Sequence, residues 1–352
     1  MKIKLLLTFD HELPLGGLNT SYENALFGPT QKVIDLAEKH DVKVTLFSDI
    51  LCAHMFEEWD RENFYDPYKN QLHNALRNGH DVQLHIHPHW LTTTYDGTNF
   101  IPSDDFALSD FKEKFGGIPG IISLSANKLR EICLQADTDY KCIAFRAGGY
   151  NISPDTDLIF NSLYDNGIRY DSSMAKGYYF KSGISEVDFR KLPDLPNWTI
   201  TPENYRSALS GKDGIMEIPI ATIPKTPFEV PTRFKQKKYA FRAVENRGKM
   251  IHSDEKIDLS SKIKMLFAAR MLSFDNHTLS SDYLMRILKY NINRYERHNE
   301  EIMLSIISHP KSMGDYSFEL MDSFISSVKK TYPEAEFTTF SSIDGNLGLS
   351  KK

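Results

Sequence analysis

Residues 68–90, YKNQLHNALRNGHDVQLHIHPHW, contain one complete helix–strand unit. The first part has the pattern of a short helix and ends at Gly79, a residue type that is common just after a helix. The DVQLHI run that follows alternates polar and apolar side chains, which is the period of a β-strand. His85, His87 and His89 come at every second position at the end of this run. The stretch therefore predicts a helix, then a strand, with a histidine cluster at the carboxyl end of the strand.

The same order of helix and then strand recurs along the chain. TQKVIDLAEKH precedes VKVTLF, ANKLREICLQA precedes CIAF, and SPDTDLIFNSLYDNG precedes IRYD. Further strands are predicted for LLLTF near the amino terminus and for IMEIPIA and IMLSIIS in the second half. Repeated units of this kind indicate a mostly parallel sheet with helices packed outside it. With about seven strands, we expect an α/β fold in the form of a slightly open barrel.

Composition and charge indicate a soluble globular protein. The chain has 352 residues, of which 41% are hydrophobic and 25% are charged, and its net charge is -5. That charge argues against general nucleic-acid binding, which is usually accompanied by a strongly basic surface. Cys52, Cys133 and Cys142 do not have the spacing of a zinc site, so we expect reduced, buried thiols.

The amino terminus and the hydrophobic runs bear on where the protein works. The apolar run before Asp10 is too short for the core of a signal peptide and lacks a small-residue cleavage site. No stretch approaches the roughly 20 apolar residues of a membrane span. We therefore expect a cytoplasmic protein, for which a peripheral membrane contact stays open.

Polar side chains are concentrated at the predicted carboxyl ends of five strands. These ends read TFDHE, HIHPH, FRAGGY, YDSS and ISHP. In parallel barrels the carboxyl ends of the strands converge, and the loops after them carry the active site. Five such placements predict that these side chains form one site.

The histidine cluster predicts a metal site. Imidazole is a good ligand for zinc, iron, cobalt or nickel, and three histidines within five residues are unusual. Pro88 argues against a helix here, so the spacing is not that of helical zinc proteases. Strand alternation alone leaves two ligand pairs open, His85 with His87 or His85 with His89.

The TFDHE segment supplies carboxylates for the same site. Asp10 and Glu12 are two positions apart, and so on one side of an extended segment, with His11 between them. One carboxylate could bind the metal while the other takes a proton from water. The alternative is that one of them caps the following loop.

These strings resemble the motifs of the NodB-type polysaccharide deacetylases, carbohydrate esterase family 4, and of their wider superfamily of metal-dependent amide hydrolases. TFDH is similar to the first motif, TFDD, and GHDVQLHIHPH to the second, H-[ST]-x-x-H, with His85 and His89 in the ligand places. FRAGGY resembles the third motif, R-x-P-Y, while YDSS and LSIISHP match the aspartate of the fourth and the histidine of the fifth. The five motifs occur in family order across most of the chain, outside the long insertions.

The resemblance implies a distorted (β/α)7 barrel of the polysaccharide deacetylase type with a single divalent metal, most simply zinc, with cobalt, nickel or iron as alternatives. Asp10 would be the catalytic base, positioned by Arg146. His309 would protonate the leaving amine and would be oriented by Asp171. A backbone N–H near Tyr150 would help to hold the oxyanion.

The first motif departs from the family pattern. Its second aspartate, the family's metal ligand, is replaced by His11. We expect Glu12 to take over as the carboxylate ligand and to complete a metal site with His85 and His89. Binding through His11, or directly through Asp10, is the alternative.

Two further departures concern the second and third motifs. The third motif contains an extra glycine, which displaces its tyrosine by one position. His87 stands where the family needs no metal ligand, and we expect it to make a supporting hydrogen bond or to contact substrate, with metal binding as the less favoured role.

We expect residues 1–352 to form a single catalytic domain with insertions at about 95–120 and 178–300. Within the second insertion, residues 225–249 contain eight Lys/Arg against two Glu. Such a run is either a solvated surface or a rim that attracts substrate phosphates or an anionic membrane. Lys235, Lys237 and Lys238 are the candidates for contacts of this kind.

The leading hypothesis is a metal-dependent carbohydrate deacetylase, which hydrolyses the linear amide of an N-acetylated sugar. Because we see no export signal, we expect a nucleotide-linked or lipid-linked precursor in capsule or lipopolysaccharide biosynthesis, and no nucleic-acid partner. One alternative keeps the site and changes the substrate to a small non-sugar amide. Another is a binding or regulatory relative that has lost catalysis.

Overall fold

The computed structural model describes residues 2–209, 213–226, 247–249, 257–275, 279–298 and 301–347. The strands are β1 (Ile3–His11), β2 (Thr45–Asp49), β3 (Asp81–Ile86), β4 (Thr94–Tyr95), β5 (Phe100–Ile101), β6 (Ala144–Ala147), β7 (Tyr170–Asp171), β8 (Tyr179–Lys181), β9 (Glu186–Asp188), β10 (Trp198–Thr201), β11 (Asn204–Ala208), β12 (Met216–Glu217), β13 (Thr222–Ile223), β14 (Arg270–Met271), β15 (Ile302–Ser308) and β16 (Ala335–Thr338). The helices are α1 (Gly28–Lys39), α2 (Ile50–Trp59), α3 (Asp66–Arg77), α4 (Gly117–Cys133), α5 (Thr156–Asp165), α6 (Leu259–Phe267), α7 (Ser281–Tyr295), α8 (Asp315–Thr331) and α9 (Phe340–Leu347).

Seven parallel strands form the wall of a barrel. Their order across the sheet is β12-β7-β6-β3-β2-β1-β15. Just beyond β12, Ile220 forms parallel bridges with Ala175 and with Ser305 of β15, which brings the two edges of the sheet together. These seven strands arise from the seven segments in which the sequence predicts strands. The expected α/β fold, a distorted (β/α)7 barrel, is confirmed.

Other strands lie outside this wall. β10 and β11 extend the sheet beyond β12 with antiparallel pairing. β4 with β5, and β8 with β9, form separate antiparallel pairs. β16 pairs with the first half of β1, whose second half pairs with β2.

The barrel interior is built from alternate residues of its strands. Leu6, Phe47, Tyr170 and Ile218 belong to one apolar cluster, which Phe340 of α9 completes. The Phe340 ring lies 5.5 Å from the ring of Phe47 and 5.9 Å from that of Tyr170. Because Leu6 precedes Thr8, Asp10 and Glu12 along β1, this apolar plug lies below the polar residues of the barrel.

The helices pack around the barrel through one apolar stripe each. In α1 the buried side chains include Val33, Ile34 and Ala37, and in α7 they include Leu284 and Ile287. The sequence patterns do not predict α2, α6, α8 or α9, and α2 follows β2 without a loop. Within the described ranges, the structure contains no helix that is long and apolar enough to cross a membrane.

We expect Phe340→Ala to lower the free energy of unfolding by about 3–5 kcal/mol, because the variant leaves a cavity beneath the polar layer of the barrel. Phe180→Ala is the matched control, since the Phe180 side chain is 38% exposed. Urea denaturation followed by circular dichroism measures both. A Phe340→Ala variant as stable as Phe180→Ala would contradict the role of α9 as the plug.

Candidate active site

Four acidic and basic side chains meet at the carboxyl ends of β1, β3 and β15. Asp10 and Glu12 come from the end of β1, His85 from the end of β3, and His309 directly follows β15. The side chains of Asp10, Glu12 and His85 are almost completely buried, while that of His309 is 24% exposed. Side chains from three of the five predicted strand ends therefore meet in one site.

His11 points away from this site. Its Nε2 lies 2.9 Å from Oε1 of Gln71 on α3, and its ring packs on Tyr68. Burial lowers the pKa of His11 to about 4 even though the hydrogen bond with Gln71 favours the charged form. Strand alternation explains the placement, because His11 lies between two inward-pointing carboxylates. The expectation that His11 could be an alternative metal ligand is wrong.

Asp10 is held by a buried arginine. Nη1 of Arg146 donates to Oδ1 of Asp10 at 2.7 Å, and Nη2 donates to the hydroxyls of Thr8, Ser172 and Ser305 at 2.8–3.0 Å. Burial alone would raise the pKa of Asp10, but the charges of Arg146 and the nearby histidines hold it well below its usual range. Asp10 is therefore a carboxylate, and its positioning by Arg146 is as the resemblance implies.

Glu12, His85 and His87 form a cluster with the geometry of a metal site. One ligand atom from each lies within 4.8 Å of the other two. Nδ1 of His85 donates to the carbonyl oxygen of Arg146 at 2.8 Å, which leaves Nε2 as a lone-pair donor. Nε2 of His87 lies 2.6 Å from Oε2 of Glu12, and Nε2 of His85 lies 3.4 Å from the same oxygen. Two imidazoles that converge on one carboxylate in a buried site are a donor set that suits zinc.

His89 lies outside this cluster. The chain turns at Pro88 into a 3-10 helix, Pro88–Thr92, so His89 does not continue the strand alternation. Its ring stacks on Phe106 with 5.5 Å between centroids and packs against Trp90. The expected grouping of His89 with Glu12 and His85 is not what the structure shows, because His87 takes that place.

The extra glycine of the AGGY segment has a steric role beside His87. A Cβ atom on Gly148 would lie 2.5 Å from the carbonyl oxygen of Ile86 and 2.6 Å from Nδ1 of His87. Gly148 therefore lets β6 approach the end of β3 closely enough for the His87 ring to fit. Its neighbour Gly149 adopts φ +59, a conformation that favours glycine.

His309 is paired with Asp275. Oδ2 of Asp275 lies 2.6 Å from Nδ1 of His309 and accepts the His309 backbone N–H at 2.9 Å. Burial alone would lower the pKa of His309, but the charges of Asp275 and Asp10 raise it to about 10. His309 is therefore protonated at neutral pH. Its Nε2 faces Oδ2 of Asp10 at 3.4 Å.

Asp171 is not the partner of His309, and this expectation is wrong. Asp171 accepts a hydrogen bond from the hydroxyl of Ser173 at 2.6 Å and lies beside Glu217 of β12. Burial raises the pKa of both carboxyls, Asp171 and Glu217. Along β7, Ser172 points into the barrel toward Arg146, so its neighbour Asp171 points outward.

Two contacts of the site were not predicted from the sequence. Lys311 reaches back over the site, with Nζ 2.9 Å from Oε1 of Glu12, and so fixes the other end of the proposed ligand carboxylate. Asp49 at the end of β2 accepts a hydrogen bond from Nε1 of Trp90 at 2.7 Å. The HPK sequence that follows β15, with a cation two residues after His309, was the available signal for Lys311.

Tyr150 lies near the site, as its motif implies. Its ring packs edge-on against Tyr178 at 5.8 Å, and its backbone has φ 62. Burial, and then the charges of Tyr178 and Asp10, raise the pKa of the Tyr150 hydroxyl. An oxyanion contact from the backbone at this turn stays a prediction.

Comparison with known proteins identifies solved structures that are similar to this chain in fold. No protein-family model matches the chain, and no curated protein matches it. A solved structure of a proposed glycoside hydrolase/deacetylase from Parabacteroides distasonis is similar with a TM-score of 0.59 and 10% identity, over 100% of this chain and 72% of that chain. A polysaccharide deacetylase assigned in Pseudomonas aeruginosa PAO1 is similar with a TM-score of 0.50 and 12% identity, over 99% and 91% of the two chains.

The chain has the polysaccharide deacetylase fold. This confirms the fold that the resemblance implies. The allantoinase PuuE is also similar, with a TM-score of 0.51 and 12% identity over 99% of this chain and 91% of that chain. At these identities the likeness concerns the fold, so the chemistry of this deacetylase-fold protein is argued from its own side chains.

We expect Asp275→Asn to lower the pKa of the His309 ring in the metal-free protein by one unit or more, roughly the effect of losing a nearby opposite charge. Asp171→Asn is the matched control and leaves that pKa unchanged, because Asp171 faces outward. NMR titration of the His309 ring measures the shift. A lowered pKa in Asp171→Asn together with an unchanged pKa in Asp275→Asn would restore the assignment made from the motifs.

Proposed function

We propose that the protein is a metal-dependent hydrolase that removes the acetyl group from an N-acetylated sugar. The observation that carries the proposal is the cluster of Glu12, His85 and His87 at the carboxyl end of a deacetylase-type barrel. Two charged pairs flank this cluster, Asp10 with Arg146 and His309 with Asp275. A base, an acid and a donor set for a cation thus lie in one buried site.

Glu12, His85 and His87 would hold the metal, and zinc is the cation that best suits this donor set. Cobalt, nickel and iron are the alternatives. When bound, such a cation supplies Lewis acidity, which polarises an amide carbonyl and makes a nearby water molecule more acidic. Lys311 would hold Oε1 of Glu12, so that Oε2 faces the cation.

Asp10 would take the proton from the attacking water. Its Oδ1 is engaged by Arg146, whereas Oδ2 faces His85 and His309 at 3.9 and 3.4 Å. The guanidinium keeps the carboxylate charged before the reaction and fixes its orientation. The water oxygen then adds to the amide carbon as its proton moves to Oδ2.

His309 would deliver a proton to the leaving nitrogen. Asp275 holds Nδ1, so the proton to be transferred is on Nε2, which lies 3.7 Å from Oε1 of Glu12 on the cluster side. Protonation of the nitrogen lets the C–N bond break, and acetate and a free amine leave. The high pKa of His309 keeps this acid loaded at neutral pH.

The proposed substrate is an N-acetylated saccharide that is linked to a carrier. A cytoplasmic protein would meet a nucleotide-linked or lipid-linked saccharide precursor of capsule or lipopolysaccharide rather than finished polymer. Lys235, Lys237 and Lys238, the cations expected to meet a carrier phosphate, lie outside the described residues. A small non-sugar amide is the second candidate, and the shared fold with an allantoinase supports it.

We expect His87→Ala to weaken zinc binding by at least about ten-fold, whereas His89→Ala binds zinc within a few-fold of the wild type. Each substitution removes one buried imidazole from the same loop, so the pair separates ligand loss from cavity effects. Isothermal titration calorimetry with zinc measures the affinities, and circular dichroism confirms the fold. Equal zinc affinities for His87→Ala and wild type would contradict the ligand assignment.

Activity is tested by acetate release from N-acetylated mono- and oligosaccharides, nucleotide-linked sugars and small amides. We expect His309→Ala to lower kcat by about a hundred-fold or more while zinc affinity is kept, because it removes the proton donor and no ligand. Zinc binding without acetate release from any of these compounds would favour a binding or regulatory relative over an enzyme.

A further inference from the structure

Helix α6 presents an apolar face to solvent. Leu259, Ile263, Leu266 and Phe267 are 74%, 49%, 48% and 59% exposed. Their spacing places them on one side of the helix. Four large apolar side chains on two turns form a contiguous patch, whereas single exposed apolar side chains are ordinary.

The opposite side of α6 is anchored to the protein. The hydroxyl of Ser261 lies 3.0 Å from the hydroxyl of Tyr179 on β8, and Nζ of Lys264 lies over the Tyr179 ring. Directly after the helix, the backbone N–H of Ala269 donates to the carbonyl oxygen of Gly177 at 2.9 Å. The helix is thus held in place with its apolar face outward.

The chain after α6 leads into the active site. β14 pairs antiparallel with β13, which continues from the carboxyl end of β12. Four residues after β14, Asp275 reaches His309. Since β14 runs back toward the barrel, α6 lies beyond the carboxyl end of β12, on the side where Asp10 and His309 gather.

A cation, Lys262, flanks the apolar face of α6. The helix contains Lys262 and Lys264 and no acidic residue, and Nζ of Lys225 donates to the carbonyl oxygen of Met265 at 3.3 Å. Asp258, which precedes the helix, caps it by accepting from the backbone N–H and hydroxyl of Ser261. An apolar face accompanied by lysines is the pattern of helices that lie in a membrane interface.

We propose that the exposed face of α6 is a docking surface for an anionic lipid bilayer. Leu259, Ile263, Leu266 and Phe267 enter the boundary between headgroups and acyl chains, and Lys262, which flanks this face, contacts the lipid phosphates. A second copy of the chain is a less suitable occupant, because Lys262 of both copies would then be brought to the same interface. Docking at α6 brings the carboxyl end of the barrel close to the bilayer.

Vesicle co-sedimentation of the full chain tests the proposal. We expect binding to vesicles of phosphatidylcholine with about one third phosphatidylglycerol, and much weaker binding to phosphatidylcholine alone. Ile263→Ser with Phe267→Ser should lower the partition coefficient by at least about ten-fold. Ile101→Ser is the matched control, since Ile101 is 65% exposed on β5, outside α6, and it should bind like the wild type. Thermal unfolding confirms that each variant is folded.

Absence of wild-type binding to the anionic vesicles would overturn the proposal, and so would unchanged binding of the double variant. Light scattering tests whether a second copy of the chain occupies this face. If the wild type is a dimer and the double variant is a monomer that binds vesicles like the wild type, the face belongs to a second copy. The docking proposal is independent of the hydrolase proposal. His309→Ala, which should be inactive, is expected to bind vesicles like the wild type.

Discussion

The buried ion pair of Asp10 with Arg146 is the interaction on which the rest of the site depends. The guanidinium is fully buried, stacks over the Phe47 ring, and donates to partners on β1, β15 and the segment after β7. Its backbone carbonyl also holds His85 in the tautomer that suits a ligand. Removing one member of such a buried pair costs about 3–5 kcal/mol, because the other charge is left without a partner. Arg146 therefore stabilises the barrel and orients both the proposed base, Asp10, and one proposed ligand, His85.

The departures from the family motifs form a consistent set. His11 stands where the family has its ligand aspartate, and it turns outward to Gln71. Glu12 is therefore the carboxylate that reaches His85. A cluster centred on Glu12 sits farther along the strands, where His87 is the available imidazole and Lys311 supplies a countercharge. Gly148 removes the side chain that would collide with His87. In the proposed metal site, Glu12 and His87 thus replace two of the positions that the resemblance implies, 11 and 89.

How well the sequence predicts each site residue depends on whether strand periodicity or tertiary packing places it. Strand periodicity and order along the chain were enough for the seven barrel strands and for Asp10, Glu12, His85, Arg146 and His309 at their ends. Periodicity did not decide whether His87 or His89 joins His85 in the cluster, because the turn at Pro88 ends the strand alternation. Asp275 was missed because it follows no predicted barrel strand, and only tertiary packing brings it to His309 after β15. Asp171 was misassigned because a motif fixes a residue type but not the side of a two-residue strand on which it falls.

The central claim is that Glu12, His85 and His87 hold one divalent cation beside Asp10. Anomalous diffraction from a crystal grown with zinc, recorded on both sides of the zinc absorption edge, tests it most directly. One strong peak is expected within bonding distance, about 2.0–2.2 Å, of Oε2 of Glu12 and of one nitrogen each of His85 and His87. A peak coordinated by His85 and His89 without His87, or a peak that Glu12 does not contact, would contradict it.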